Sequence, residues 1–220
     1  MKRQSSKILY FALGLLLAFL LWTLGVRAID VQQIGPRGSW VGFAVLNAWF
    51  HSLTGTHMAL YTVTDWLGLV PVALCLGFAA LGLVQMIRRK SLFKVDPDIL
   101  ALGGFYILVF SAYIFFEMFA VNYRPVLIEG RLEASYPSST TLMTLCVIPA
   151  AIMQLRRRSS KRLSAPICGA LWIFAAFMVV GRLISGVHWL SDIAGGVLLA
   201  GGLVLLYYAS LLRLCGEAEG

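Results

Sequence analysis

Six long apolar blocks, separated by short and mostly basic punctuation, constrain this chain more than any other feature. They run over 8–26, 61–87, 99–119, 141–155, 166–184 and 190–212. Crossing about 30 Å of hydrocarbon takes roughly 20 helical residues, and in lipid only helices or closed barrels satisfy every backbone polar group. The expected fold is therefore all-α: a polytopic membrane protein, one domain over residues 1–220, built as a bundle of six transmembrane helices. The fourth block is short, which predicts that its helix begins earlier, near Ser138 or Ser139. The first block follows Lys2, Arg3 and Lys7, exceeds the apolar core of a cleavable signal and shows no small-x-small site before Arg27. It reads as a retained first helix.

Charge supplies the expected direction. Of 220 residues 60% are hydrophobic and 13% charged, against about 45–50% and 25% in a soluble domain. The net charge of +8 comes from clusters beside the blocks, so it is read as a topology signal and nucleic-acid binding is set aside. Arg88, Arg89, Lys90 and Lys94 follow the second block, and Arg156, Arg157, Arg158, Lys161 and Arg162 follow the fourth. Those loops, and with them both termini, are expected in the cytoplasm, with the odd loops outside. The segment 39–54 is apolar but too short to span, and counting it would turn the basic loops outward; an interfacial or re-entrant helix between spans one and two is expected. Trp22, Trp40, Trp49, Trp66 and Trp189 would then sit near the outer boundary. Cys75, Cys146, Cys168 and Cys215 have neither zinc-ligand nor disulfide-framework spacing and read as packed, reduced thiols.

With that orientation, the polar residues able to carry chemistry gather on the outer side. His188 and Asp192, four apart at the mouth of the last block, share a helix face. A carboxylate there can take the proton of one ring nitrogen, fix the tautomer and leave the other nitrogen as nucleophile or base. Gly196 and Ala200 continue the stripe and would let another helix approach, turning that face into the bundle. Arg124 and Arg182 offer planar donor forks suited to phosphate oxygens. Ser138 and Ser139 would open the fourth helix, whose free N–H groups favour an anion. Each residue also has a plainer use: His188 with Asp192 as a structural pair, Ser138 as a helix cap, Arg124 as an anchor at the outer face.

Arg124-Pro125, Pro137-Ser138 and Arg182-x5-His188-x3-Asp192, in that order and on those helices, resemble the three-part signature of the type-2 phosphatidic acid phosphatase superfamily, membrane branch. The third motif is specific and the first two are eroded. Where the family has Lys, Pro-Ser-Gly-His and Ser-Arg, this chain has Glu117, Pro137-Ser138-Ser139-Thr140 and Gly181-Arg182. The resemblance implies hydrolysis of a lipid phosphate or diphosphate with no metal and no cofactor. In that scheme His188 attacks phosphorus to give a phosphohistidine, Asp192 orients it, and Arg124, Arg182, Ser138 and Ser139 hold the phosphate. Arg131 could partly replace the lost lysine, and Glu117 would have to turn away or pair with Arg124 or Arg131. His51 and His57 are candidates for the lost acid. Thr140 cannot protonate a leaving alkoxide, a service worth about 10² to 10⁴ in rate, whereas a leaving phosphate departs as a stabilised anion. A diphosphate such as a polyprenyl diphosphate is therefore the expected substrate, and membrane lipids the expected partners. The alternatives are a weakened or inactive lipid-phosphate-binding or transport protein, and a phosphotransferase to another lipid acceptor. The small size and short loops suit a bacterial inner membrane.

Overall fold

The computed structural model describes residues 2–215. Its elements are α1 (Lys2–Ala28), α2 (Ala44–Thr54), α3 (Met58–Leu67), α4 (Leu69–Arg89), α5 (Pro97–Met118), α6 (Ser139–Arg158), α7 (Lys161–Ile184) and α8 (Leu190–Cys215), with single 3₁₀ turns at Pro36–Gly38 and Leu92–Lys94. Among the described residues six helical stretches are long and apolar enough to cross a membrane, as the six blocks predict. The second of them joins α3 to α4, running Met58–Arg89. The joint is Gly68, whose backbone stays in the right-handed helical region, so the two pieces run on as one stretch. Segment 39–54 supplies α2, eleven residues long, too short to cross.

The fourth helix begins where its short apolar block predicts. Ser138 is the N-cap of α6 and its Oγ accepts from the Thr141 N–H at 3.5 Å. The weak hydropathy of α6 has a packing cause. Its apolar window is 61% buried, against 11% for Met58–Arg89, because α6 contacts α4, α5, α7 and α8. A helix lined by protein can carry Thr141, Thr144 and Gln154 fully buried, whereas one facing acyl chains cannot.

α8 packs against α1, α6 and α5 and makes the bundle's axis with α6. Small residues allow the approach. A Cβ at Gly202 would lie 2.6 Å from the Leu16 side chain, and one at Gly196 would lie 3.2 Å from Thr141 Cγ2. The stripe expected from Asp192 through Gly196 to Ala200 therefore faces inward, with Ala200 fully buried. At one end of the bundle Asp98 pairs with Arg158 at 2.8 Å, and Gln154 Nε2 donates to the Tyr207 hydroxyl at 2.6 Å. The two basic clusters of the sequence lie at that end. At the opposite end α1, α5 and α7 finish and α6 and α8 begin, and there the polar loops meet. Cys75, Cys146 and Cys168 are free and buried, and Cys215 is free and half-buried.

Gly195 marks the tightest contact near this second end. A Cβ there would lie 2.6 Å from the ring of Tyr136. The ring cannot yield: it is 1% exposed, stacked on Phe19 and bonded through its hydroxyl to Thr23 Oγ1 at 2.6 Å. Gly195→Ala should cost about 1–3 kcal/mol through overpacking, whereas Gly104→Ala, with nothing within 4 Å of the new carbon, should be neutral or gain up to about 1 kcal/mol in helix propensity. Melting temperatures of the two variants in the same detergent check the contrast.

Candidate active site

The loop between α5 and α6 folds back on itself as a short antiparallel ribbon. Tyr123 bridges Ala134, the Arg124 N–H donates to the Glu133 carbonyl at 3.0 Å, and the Ser135 N–H donates to the Asn122 carbonyl at 2.9 Å. This ribbon sets Arg124 across from Glu133. A buried amide network then ties it to the start of α8. Asn122 Nδ2 donates to Asp192 Oδ1 at 3.2 Å, the Trp189 N–H donates to Asp192 Oδ2 at 3.0 Å, and Asn47 of α2 donates to Ser191 Oγ at 2.9 Å while accepting the Ser191 N–H at 3.1 Å. Asn47, Ser191 and Asp192 are fully buried and Asn122 is nearly so, so each polar group needs such a partner.

His188 sits inside this frame, 3% exposed. Its Nδ1 lies 3.2 Å from the Ser135 carbonyl and its Nε2 lies 3.3 Å from Arg124 Nη1. A carbonyl only accepts and a guanidinium only donates, so these partners place the proton on Nδ1 and leave Nε2 unprotonated, its lone pair accepting from Arg124. Helical spacing predicts that Asp192 accepts the ring proton. The nearest carboxylate oxygen is instead 3.9 Å from Nδ1, because the backbone of Trp189 and the amide of Asn122 already claim Asp192 and hold it one step back. It remains close enough to favour the charged ring. Burial nonetheless dominates: it pushes His188 from 6.5 down to about 4, opposed by Asp192 and assisted by Arg124 and Arg182.

Arg182 and Arg124 reach the same place from α7 and from the ribbon. Arg182 is 2% exposed; its Nη2 donates to Asp65 Oδ1 at 2.9 Å and to Thr140 Oγ1 at 2.7 Å. Arg124 is 8% exposed, and its Nε lies 3.0 Å from Glu133 Oε2. That pair is an ion contact without hydrogen-bond direction, and neither arginine Nε has a directed partner among the described residues. Both guanidiniums lie over the ring of Tyr61, at 4.8 Å for Arg182 and 5.8 Å for Arg124. The two arginines, Tyr61, Asp65, Glu117, Glu133, Ser139 and Thr140 share one cavity of about 670 Å³. His188 does not line it and lies behind Arg124.

The expected site residues thus divide. His188, Asp192, Arg124, Arg182, Ser139, Thr140 and Glu117 are brought together or line the cavity. Glu117 faces that cavity but forms no ion pair within 4 Å among the described residues; Glu133 takes the place on Arg124. Ser138 is fully buried as the α6 cap, with its N–H on the Asp192 carbonyl at 3.1 Å, so it braces α8 and leaves the cavity wall to Ser139. Arg131 is exposed at the ribbon's turn, outside the cavity lining. His51 bonds the Gly186 carbonyl at 3.1 Å and His57 the Thr54 carbonyl at 2.8 Å, and neither reaches the cavity. Trp40, Trp49 and Trp66 are exposed. Trp189 is buried against protein just before α8, with its Nε1 on the Tyr123 carbonyl at 2.8 Å; Trp22, half-buried, donates to the Ser191 carbonyl at 3.1 Å. These two rings brace the site. Asp65, Tyr61, Ser135 and Asn47 did not emerge from the sequence. For Asp65 the signal was present, a carboxylate inside an apolar span, which is costly without a partner.

The depressed His188 gives a signed pH dependence. Between pH 6.5 and about 4 the unfolded chain takes up a proton that the folded chain refuses, so this contribution is complete above 6.5 and is lost as the pH falls towards 4. The melting temperature should drop over that window, and His188→Gln should flatten this part of the slope in a pH series of thermal scans.

The PAP2 superfamily model matches residues 69–214. No curated protein sequence matches the chain. Among solved structures it is similar to the first transmembrane PAP2 type phosphatidylglycerolphosphate phosphatase from Bacillus subtilis, with a TM-score of 0.50 and 18% identity, over 93% of this chain and 96% of that one. The matched segment takes in Arg124, Ser138, Arg182, His188 and Asp192, and the six apolar helices are those of an integral membrane protein. The chain belongs to the PAP2 superfamily.

Proposed function

We propose that this protein hydrolyses a lipid phosphate on the outer face of the membrane through a phosphohistidine at His188, with a lipid diphosphate such as a polyprenyl diphosphate as preferred substrate. The reading is carried by one observation: an imidazole whose unprotonated Nε2 faces Arg124 and two buried guanidiniums converge from three remote segments at one end of an apolar bundle. The solved structure of similar fold is described as a phosphatidylglycerolphosphate phosphatase, and lipid phosphate is the class carried over from it. The shape of the cavity supports a lipid. Through Asp65, Tyr113, Ser139 and Thr140 it adjoins a pocket of about 280 Å³, which shares Val72 and Phe110 with an apolar groove of about 610 Å³ between α4 and α5. An acyl or prenyl chain suits that groove.

In this mechanism the phosphoryl oxygens draw Arg124 away from Nε2 and take donors from Arg124, Arg182 and the first turn of α6. Nε2 bonds to phosphorus as the bond to the leaving oxygen breaks. The proton stays on Nδ1, donated to the Ser135 carbonyl, and Asp192 stabilises the ring as it becomes positive. Water then attacks phosphorus, the P–N bond breaks, and orthophosphate leaves with His188 restored. Charge on the equatorial oxygens is what the two guanidiniums answer. Thr140, bonded to Arg182, supplies no acid. General acid catalysis is worth about 3–5.5 kcal/mol of barrier, a loss that a phosphate leaving group tolerates and an alkoxide does not. The basic clusters support termini in the cytoplasm, the compact loops suit a bacterial inner membrane, and α2 would lie at the interface in this arrangement.

The same Thr140 contact favours a second reading, a protein that binds lipid phosphate and turns it over poorly or not at all. Phosphate release from paired lipid monophosphates and diphosphates separates them. The purified protein should release phosphate faster from the diphosphate, His188→Ala should fall to background, and Thr140→His should raise monophosphate release by about tenfold or more. Equal rates on the two lipids would remove the diphosphate preference, and release surviving in His188→Ala would end the phosphohistidine route. Binding without release in the wild type would leave the second reading.

A further inference from the structure

Both arginines that would grip phosphate already hold a carboxylate: Asp65 on Arg182 at 2.9 Å and Glu133 on Arg124 at 3.0 Å. The partners differ sharply in burial. The arginine side chains are 2% and 10% exposed, whereas those of Asp65 and Glu133 are 57% and 39% exposed. Each pair therefore has a fixed cation and an anion with water behind it. A displaced carboxylate can rehydrate at small cost, but a displaced guanidinium would be left buried and bare. Tyr61 lies against both guanidiniums and holds them in place whichever anion they carry.

Resting on the reading of this cavity as a phosphate site, we infer that Asp65 and Glu133 act as internal competitors for the two arginines, so that orthophosphate is let go after each turnover. A pair of buried guanidiniums with unused N–H groups would otherwise retain the product, since orthophosphate offers them the same oxygens as the substrate. When the anion departs, Glu133 regains Arg124, Arg124 Nη1 returns to His188 Nε2, and Asp65 regains Arg182 next to Thr140. Asp65 and Glu133 are thus positioning residues. They touch neither the imidazole nor, in this scheme, the reacting phosphorus, and they set how tightly the forks hold any anion.

Asp65→Asn and Glu133→Gln keep an oxygen acceptor for the guanidinium but remove its charge, which preserves the resting contact and weakens the competitor. Either amide can still accept from a charged donor but brings no net negative charge to attract the guanidinium, so each substitution should tighten anion binding by about tenfold. The experiment is titration calorimetry of orthophosphate into detergent-purified protein, with all variants also made on the His188→Ala background so that binding is read without turnover. Kd should fall about tenfold in each single variant and further in the double, and Asp65→Glu should return it to the wild-type value. In lipid hydrolysis KM and the inhibition constant for orthophosphate should fall together while kcat declines. An unchanged Kd in both single variants, or a lower kcat with unaltered KM and phosphate inhibition, would overturn the inference and leave the carboxylates as structural counter-ions. His188-dependent lipid hydrolysis with unshifted orthophosphate binding would sink this inference alone; shifted binding in a protein that never hydrolyses lipid would sink the hydrolase reading alone.

Discussion

Asp192 is the fixed point from which the site is built. Its side chain is fully buried at the first turn of α8, where an unpaired carboxylate would be prohibitively costly, so its oxygens need donors at fixed positions. They find them in the Trp189 backbone and the Asn122 amide. The first of these donors shapes the turn that carries His188, and the second pulls the α5–α6 ribbon, with Arg124, onto the head of α8. The Asp192 carbonyl also receives the N–H of Ser138, which aligns the start of α6. One residue therefore aligns His188, Arg124 and the start of α6. Its effect on the imidazole is exerted from 3.9 Å, behind the tighter grip of the Ser135 carbonyl.

Charge in the cavity is arranged differently from a simple cage of cations. Two guanidiniums face three carboxylates, those of Asp65, Glu117 and Glu133, and two of the three sit on the arginines. Those two contacts neutralise the buried arginines, which lets an apolar bundle retain them. On the proposed reading, an incoming phosphate is gripped by exchange for these carboxylates. Its affinity is the difference between two similar ion contacts, and small changes in either partner move it.

Much of the fold was legible in the sequence because the relevant physics is local. The six blocks became six long helices, and the short fourth block began at Ser139 because Ser138 caps it. The inward stripe of Asp192, Gly196 and Ala200 also came through, since helical spacing alone places those residues on one face. The convergence of His188 with Arg124 and Arg182 was legible through the resemblance of the motifs. Three readings failed for a shared reason. Glu117 as the partner of Arg124, Asp192 as the direct acceptor of the ring proton and Ser138 in the cavity wall each required knowing which neighbour would arrive first, and Glu133, Ser135 and Thr141 had prior claim.

The sequence by itself determined that this chain is a six-span helical membrane protein, because block length and backbone satisfaction in hydrocarbon are properties of a contiguous stretch. Only the tertiary structure decided which acid meets which arginine. Arg182 finds Asp65 across 117 positions and Thr140 across 42, and no periodicity ties residues so far apart. Their pairing follows from how α3, α6 and α7 pack, and packing is settled by the whole set of small residues, buried amides and aromatic braces acting together.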